Sequence, residues 1–143
     1  MIHIAIMKKS WGLTSKIITG QKKIESRWYK LKYSPWGKIE KGDTVYFKNS
    51  GELVSIKSEV KKVIQFTELN RKRVKDILGK YGKNIGINKS DFAKFSGKFR
   101  DKEYCILIFL KNPKKIKPFQ INKKGFGAMS SWITVKNIED IKV

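Results

Sequence analysis

Eight consecutive residues, Gly20-Gln21-Lys22-Lys23-Ile24-Glu25-Ser26-Arg27, bring together the side chains best suited to chemistry in this chain. In an extended strand, alternate residues share a face, so Glu25 and Arg27 point one way and Ile24, Ser26 and Trp28 the other. Lys22 precedes Glu25 by three, at the turn leading out of a helix, where strict alternation does not hold. A Lys, a Glu and an Arg can therefore converge on one cleft. Neighbouring cations make a lysine lose its proton more readily, whereas Glu25 favours the ammonium. Three readings stay open. The cluster is a structural ion-pair knot holding strand to helix, or a binding site, or a hydrolytic site. As a binding site, Lys22 and Arg27 clamp a phosphate or base edge and Glu25 accepts from an exocyclic amine. As a hydrolytic site, Lys22 or Glu25 activates a water.

Aromatic and polar neighbours extend this candidate cleft. Trp11, Trp28, Trp36 and Trp132 are many for 143 residues, and an exposed one can stack on a base. Trp36, within the turn Ser34-Pro35-Trp36-Gly37, is the expected exposed member, while Trp28 is expected to face a core. Tyr46, Lys48 and Ser50 lie on or just after the next strand. They are expected beside the octet, completing the nucleic-acid-binding set Lys22, Glu25, Arg27, Trp36, Tyr46, Lys48 and Ser50.

Other chemistries lack their residues. One His and one Cys leave no credible metal-ligand set, and no cofactor motif is found. A Ser-His-carboxylate site would have to use His3, at the start of the first strand. Gly82-Lys83 is followed by Asn84, so there is no Walker sequence. Gly125-Phe126-Gly127 reads as a turn. Gly79-Lys80-Tyr81-Gly82 looks like the GXXG loop of a KH domain, but Gly86 and Asn88 are poor continuations of the helix such a loop would need. The alternative is that Gly79 ends a helix.

Thirty-three Lys and Arg against twelve Asp and Glu give a formal charge of +21 and point to a polyanionic partner, nucleic acid above all. An anionic membrane surface is the competitor, but no clean basic amphipathic helix supports it. No apolar stretch reaches the ~18 to 20 residues of a membrane span. Cys105 lies in the apolar run 104–108 and reads as a small buried hydrophobe. The chain thus reads as a soluble, cytoplasmic protein, and its length fits one domain over residues 1–143. No motif fixes an oligomeric state.

The elements that must position the octet follow from periodicity and turn residues. Strands are expected at 3–7, 22–29, 44–48, 53–66, 104–110, 116–121 and 132–135. Ser10 is expected to cap a helix running to Thr19, with Gly20 at its end in a positive-φ conformation. Lys41-Gly42-Asp43 and Asn49-Ser50-Gly51 read as turns. The apolar phase breaks between Val60 and Val63, which suggests a bulge. Thr67 is expected to cap a helix ending at Gly79, and a short helix is expected over 90–95. Short strands mixed with small helices, without regular alternation, argue for an α+β fold, a compact mixed β-barrel with small flanking helices.

The octet fits G-x-K-x-x-E-x-R, the signature of the ASCH family, in the matching context of a helix ending at Gly20. Gly42-Asp43-Thr44-Val45 resembles the family's "GD" turn. The run from Lys117-Pro118-Phe119 through Gly125-Phe126-Gly127 to Trp132-Ile133 resembles the tail of small stand-alone prokaryotic, particularly archaeal, members. This resemblance spans nearly the whole chain and implies a PUA-like β-barrel with links to RNA, so RNA is expected ahead of DNA. It also implies two enzymatic precedents. One is removal of the acetyl group from N4-acetylcytidine, using the motif's Lys with a Thr where this chain has Glu25. The other is ribonuclease activity. Glu25 supplies no hydroxyl nucleophile, so Lys22 and Glu25 would act as the catalytic pair only by activating water. Glu68 and Asp76 are candidates for a further carboxylate.

Overall fold

The computed structural model describes residues 1–127 and 129–143. Six strands form one mixed, strongly curled sheet: β1 (Ile2–Met7), β2 (Ile24–Tyr29), β3 (Thr44–Asn49), β4 (Val54–Phe66), β5 (Tyr104–Phe119) and β6 (Trp132–Val135). Their order is β2-β5-β4-β3-β1-β6, with β1 and β3 parallel and the other pairs antiparallel. Among the described residues three α-helices decorate it: α1 (Leu13–Thr19), α2 (Arg71–Ile85) and α3 (Phe92–Phe99). This is the α+β, helix-flanked mixed barrel expected from the sequence, here left open as a half-barrel.

Both faces of the sheet are buried. The concave face gathers Ala5, Met7, Val45, Phe47, Ile106, Ile108 and Trp132. The convex face splits in two. Near β2 and β5, Ile24, Trp28, Cys105 and Leu107 pack under α2 and α3 through Val74, Ile77, Leu78 and Phe99. Near β1 and β6, Ile4, Tyr46, Val54 and Ile133 pack under the C-terminal segment through Ile121 and Ile141. Burial on both faces explains why β1 and the first half of β5 are apolar almost without interruption. Burial also pushes the Cys105 thiol far above its ordinary pKa, consistent with a packing role.

The expected phase break in β4 appears as register shifts against β5 between Val54 and Ile56, Lys57 and Glu59, and Val60 and Lys62. The two segments expected at 104–110 and 116–121 are one bent strand, β5, in which Asn112 takes a φ of 52°. The first helix differs from expectation. Ser10 belongs to a 3-10 turn over Lys9–Trp11, Gly12 follows in a left-handed conformation, and α1 starts at Leu13 without a side-chain cap. Gly20, with φ 82°, ends it as expected.

Helix α2 is capped by Asn70, whose side chain accepts from the Arg73 amide, and not by Thr67. It runs straight through Gly79 to Ile85, because Ile77, Leu78 and Ile85 continue one buried stripe. The KH-like tetrad therefore lies inside a helix, and no loop joins two helices there. Gly82 has a packing reason: a Cβ built there would lie 2.6 Å from the Phe92 ring of α3. Gly86, with φ 98°, provides the true C-cap.

Candidate nucleic-acid interface

The second half of the octet, Ile24 to Arg27, lies on β2, an edge strand that among the described residues pairs only with β5. Glu25 and Arg27 project to the concave side, while Ile24 and Trp28 enter the core under α2 and α3, as alternation requires. Trp28 stacks on Phe99 with centroids 4.3 Å apart and donates its indole N–H to the Ser26 hydroxyl at 3.0 Å.

Lys22 enters from the α1–β2 turn and is 2% exposed. Its ammonium donates to the Ile24 carbonyl at 2.6 Å, to the Ile85 carbonyl at 2.6 Å, and lies 3.3 Å from Glu25 Oε1. Three donors thus meet three acceptors. The Ile85 carbonyl is available because α2 ends there, leaving its last carbonyls without intrahelical partners. Two neighbouring carbonyls are taken up in the same way. Asn84 accepts from the Lys23 amide at 2.7 Å and Gly86 from the Lys16 ammonium at 3.1 Å. Two cations at the negative end of α2 also complement its dipole.

Glu25 is 3% exposed. One oxygen accepts from the Ser26 amide at 3.0 Å and faces Lys22, and the other accepts from Arg27 Nη2 at 3.2 Å. Burial works to raise the Glu25 carboxyl, but the charges and hydrogen bonds of Lys22 and Arg27 outweigh it and hold it below the usual carboxylate range. Burial lowers the proton affinity of Lys22, and Glu25 opposes that shift. With all three protons engaged, we read the pair as ammonium and carboxylate.

Arg27 is the outward member, with 12% of its side chain exposed. Its Nη1 donates to the Ser131 carbonyl at 3.2 Å and the Ser131 hydroxyl at 3.1 Å, and its guanidinium lies 5.0 Å from the centroid of Trp132. Ser131 immediately precedes β6, the opposite edge of the sheet, so Arg27 bridges the two edges and closes the open side of the barrel.

These groups line a cavity of about 680 Å³ between the concave side, α1 and α3. Its lining holds eight Lys and Arg side chains against two carboxylates, Glu25 and Asp91. Lys22, Glu25, Arg27 and Ser50 all reach it. Trp36, Tyr46 and Lys48 do not. Tyr46 and Lys48 sit on β3, and β5 and β4 lie between β3 and β2, so the expected pairing beside the octet does not exist. Tyr46 is buried on the convex face against Phe119. Lys48 is buried, with burial and nearby Lys123 lowering its pKa. Trp36 is half-buried and packs edge-on against Tyr104, with centroids 5.0 Å apart. The most exposed tryptophan is Trp11, which lines the cavity. Glu68 and Asp76 are exposed and stand outside the lining. Ser131, Asp91 and the end of α2 carried no local sequence signal, since each reaches the octet only through the fold.

A second buried polar cluster lies across the concave face. His3 Nε2 is 2.8 Å from Asp43 Oδ2, and His3 Nδ1 receives the Trp132 indole N–H at 3.1 Å and lies 3.0 Å from the Thr134 hydroxyl. An indole can only donate, so Nδ1 is the acceptor and the proton sits on Nε2, facing Asp43. Burial lowers the His3 pKa against the pull of Asp43. Burial opposes the Asp43 charge too, but hydrogen bonds from His3, the chain amino group and the Glu40 amide lower its pKa. Among the described residues, no three His, Cys, Asp or Glu side chains gather as metal ligands would, and no helix is long and apolar enough to cross a membrane.

No protein-family model matches the sequence, and no curated protein does. The structure, however, is similar to that of ASCH from Zymomonas mobilis, with a TM-score of 0.68 over 97% of this chain and 90% of that one, at 14% identity. A Tyr-to-Phe and a Ser-to-Ala variant of the same protein align with TM-scores of 0.66 and 0.65, each over 94% of this chain at 13% identity. The chain has the ASCH-domain fold, as the octet and its context implied.

Proposed function

We propose that this domain binds single-stranded nucleic acid, RNA ahead of DNA, by seating a nucleotide in the cavity against Arg27. The observation that carries the reading is the lining itself: eight cations face two carboxylates in a concave site of nucleotide-compatible size. Within it Lys22 and Glu25 are positioning residues. They neutralise each other and hold Arg27, whose guanidinium borders the cavity and can offer phosphate or a base edge a charge-assisted hydrogen bond in exchange for one of its bonds to Ser131 or Met7 Sδ. RNA is put first because the octet resembles a family with links to RNA.

The hydrolase alternative meets an obstacle in the same geometry. Lys22 has no proton-free electron pair while its ammonium serves three acceptors, and both Glu25 oxygens are already engaged. Neither is set up to take a proton from water without first breaking this network.

Fluorescence anisotropy with labelled 12-nucleotide RNA and DNA strands over a salt series tests the reading. Affinity is expected to fall steeply, with a log–log slope of about −0.7 per phosphate neutralised. RNA should bind more tightly than DNA of the same sequence. Salt-independent binding, or none at low salt, would overturn the reading. Incubation with N4-acetylcytidine and with unstructured RNA is expected to leave both intact, and turnover lost in Lys22→Ala would promote the hydrolase.

A further inference from the structure

The cavity has a second wall, away from the octet, whose composition differs from the first. It is formed by Lys8 and Trp11 at the 3-10 turn and by Lys94, Phe95 and Lys98 of α3, with Lys102 just beyond. Lys94, Lys98 and Lys102 recur every four residues, so they lie along one side of the helix and its extension, an arrangement that disfavours the helix through like-charge repulsion. None of Lys8, Lys94, Lys98 and Lys102 forms an ion pair with a carboxylate among the described residues. Burial, with Lys8, Lys94 and Lys102 close by, lowers the Lys98 pKa, as such crowding requires.

The aromatic component is equally particular. Trp11 is 40% exposed, the most exposed of the four tryptophans. Its ring meets Phe95 edge-on at 6.2 Å and 82°, and the ammonium groups of Lys98 and Lys8 lie 4.1 and 5.4 Å from its centroid. An indole left open to a concave site, ringed by lysines without counter-charge, matches the combination that holds single strands: a π-face for a base and cations for the flanking phosphates.

We propose that the Trp11–α3 wall is a second nucleotide subsite, stacking one base on Trp11 while Lys94 and Lys98 bind the phosphodiester beside it. The inference rests on the nucleic-acid reading of the cavity and adds that the ligand is a strand spanning both walls, not a lone nucleotide.

Two kinds of 12-nucleotide strand separate stacking from charge: oligoadenylate, as RNA and as DNA, and an abasic strand with the same phosphates. Trp11→Ala is expected to weaken oligoadenylate binding about 5- to 100-fold, in keeping with base–aromatic stacking, and to leave the abasic strand unaffected. Trp11→Phe should retain most of the affinity. A loss seen with the RNA strand alone assigns the subsite to RNA, and a loss with both assigns it to either backbone. The double variant Lys94→Ala/Lys98→Ala should weaken all strands and reduce the salt slope by about 0.7, the share of one phosphate. Should Trp11→Ala fold poorly, acrylamide quenching of the wild-type fluorescence provides the readout, because saturating oligoadenylate must then shield the accessible tryptophan. Unchanged quenching, or Trp11→Ala affinity equal to wild type while Arg27→Ala binds weakly, would overturn the second subsite and leave the Arg27 site standing. Absence of binding by the wild-type protein at low salt would remove both.

Discussion

Two buried polar clusters face each other across the inside of this half-barrel, and only one of them borders the cavity's octet wall. His3, Asp43, Thr134 and Trp132 form a set around a neutral imidazole with a fixed tautomer. Lys22, Glu25 and Arg27 form a charged set, equally buried at its centre but ending in a guanidinium that reaches the cavity. Both clusters shift the pKa values of their members. Burial and perturbed acidity therefore do not distinguish a structural network from a candidate site here. What differs is the group each presents to open space: the first offers the neutral Thr134 hydroxyl, and the second the Arg27 guanidinium.

The strongest test of this contrast removes the central carboxylate of each cluster. Glu25→Gln strands a fully buried ammonium and loosens Arg27, and is expected to cost about 3–5 kcal/mol in urea denaturation. An effect below about 1 kcal/mol would mean that Lys22 is neutral in the folded protein. Arg27→Ala should lower strand affinity about 10- to 100-fold, as one charge-assisted hydrogen bond is worth roughly 1.5–3 kcal/mol. Arg27→Lys keeps the charge but loses the fork that joins Glu25 to Ser131, so it should recover only part. Asp43→Asn is expected to cost about 1–3 kcal/mol in stability and nothing in strand affinity. Loss of binding in a well-folded Asp43→Asn protein would erase the distinction between the clusters.

Acidity sharpens the comparison further. The His3 pKa is depressed in the fold, so the unfolded chain takes up its proton first, and stability should fall as pH drops below about 6.5. The carboxyls of Asp43 and Glu25 are also depressed. Their stabilisation is present above the unfolded values near ~4 and is lost as pH falls further. Urea midpoints should therefore decline in two stages, and the first should vanish in a His3→Gln variant that still folds. Lys114→Ala marks the small end of the scale. Lys114 pairs with Lys57 on the outer β4–β5 ribbon and does not line the cavity, so its loss should change affinity less than about threefold.

Much of this could be read along the chain, and the failures share a cause. Alternation placed Glu25 and Arg27 on one face correctly, because the face of a strand residue is a local property. Gly20 was legible as a helix end for the same reason. The error over Tyr46 and Lys48 came from assuming that strands successive in sequence are neighbours, whereas β5 and β4 intervene. The error at Gly79 came from weighing a helix-breaking residue above a buried stripe that continues to Ile85. Trp36 has the turn chemistry of an exposed loop, yet Tyr104, far along the sequence, half-covers it. Ser131 and the α3 wall were invisible because nothing near the octet points to them.

The seating of Lys22 on the end of α2 has a kinetic consequence. The Lys22–Ile85 bond spans 63 residues, and the strand that carries Arg27 finds its partner, β5, still further along the chain. Closing a loop of that length costs roughly 3.5 kcal/mol of chain entropy before any contact repays it. The β3–β4 hairpin, by contrast, closes through a tight turn and can form early. High contact order of this kind slows folding, so the cavity should be among the last features to assemble. Until α2 docks, Lys22 lacks its helix-end carbonyl acceptor, and a chain emerging from the ribosome has its whole octet long before it has the cavity around it.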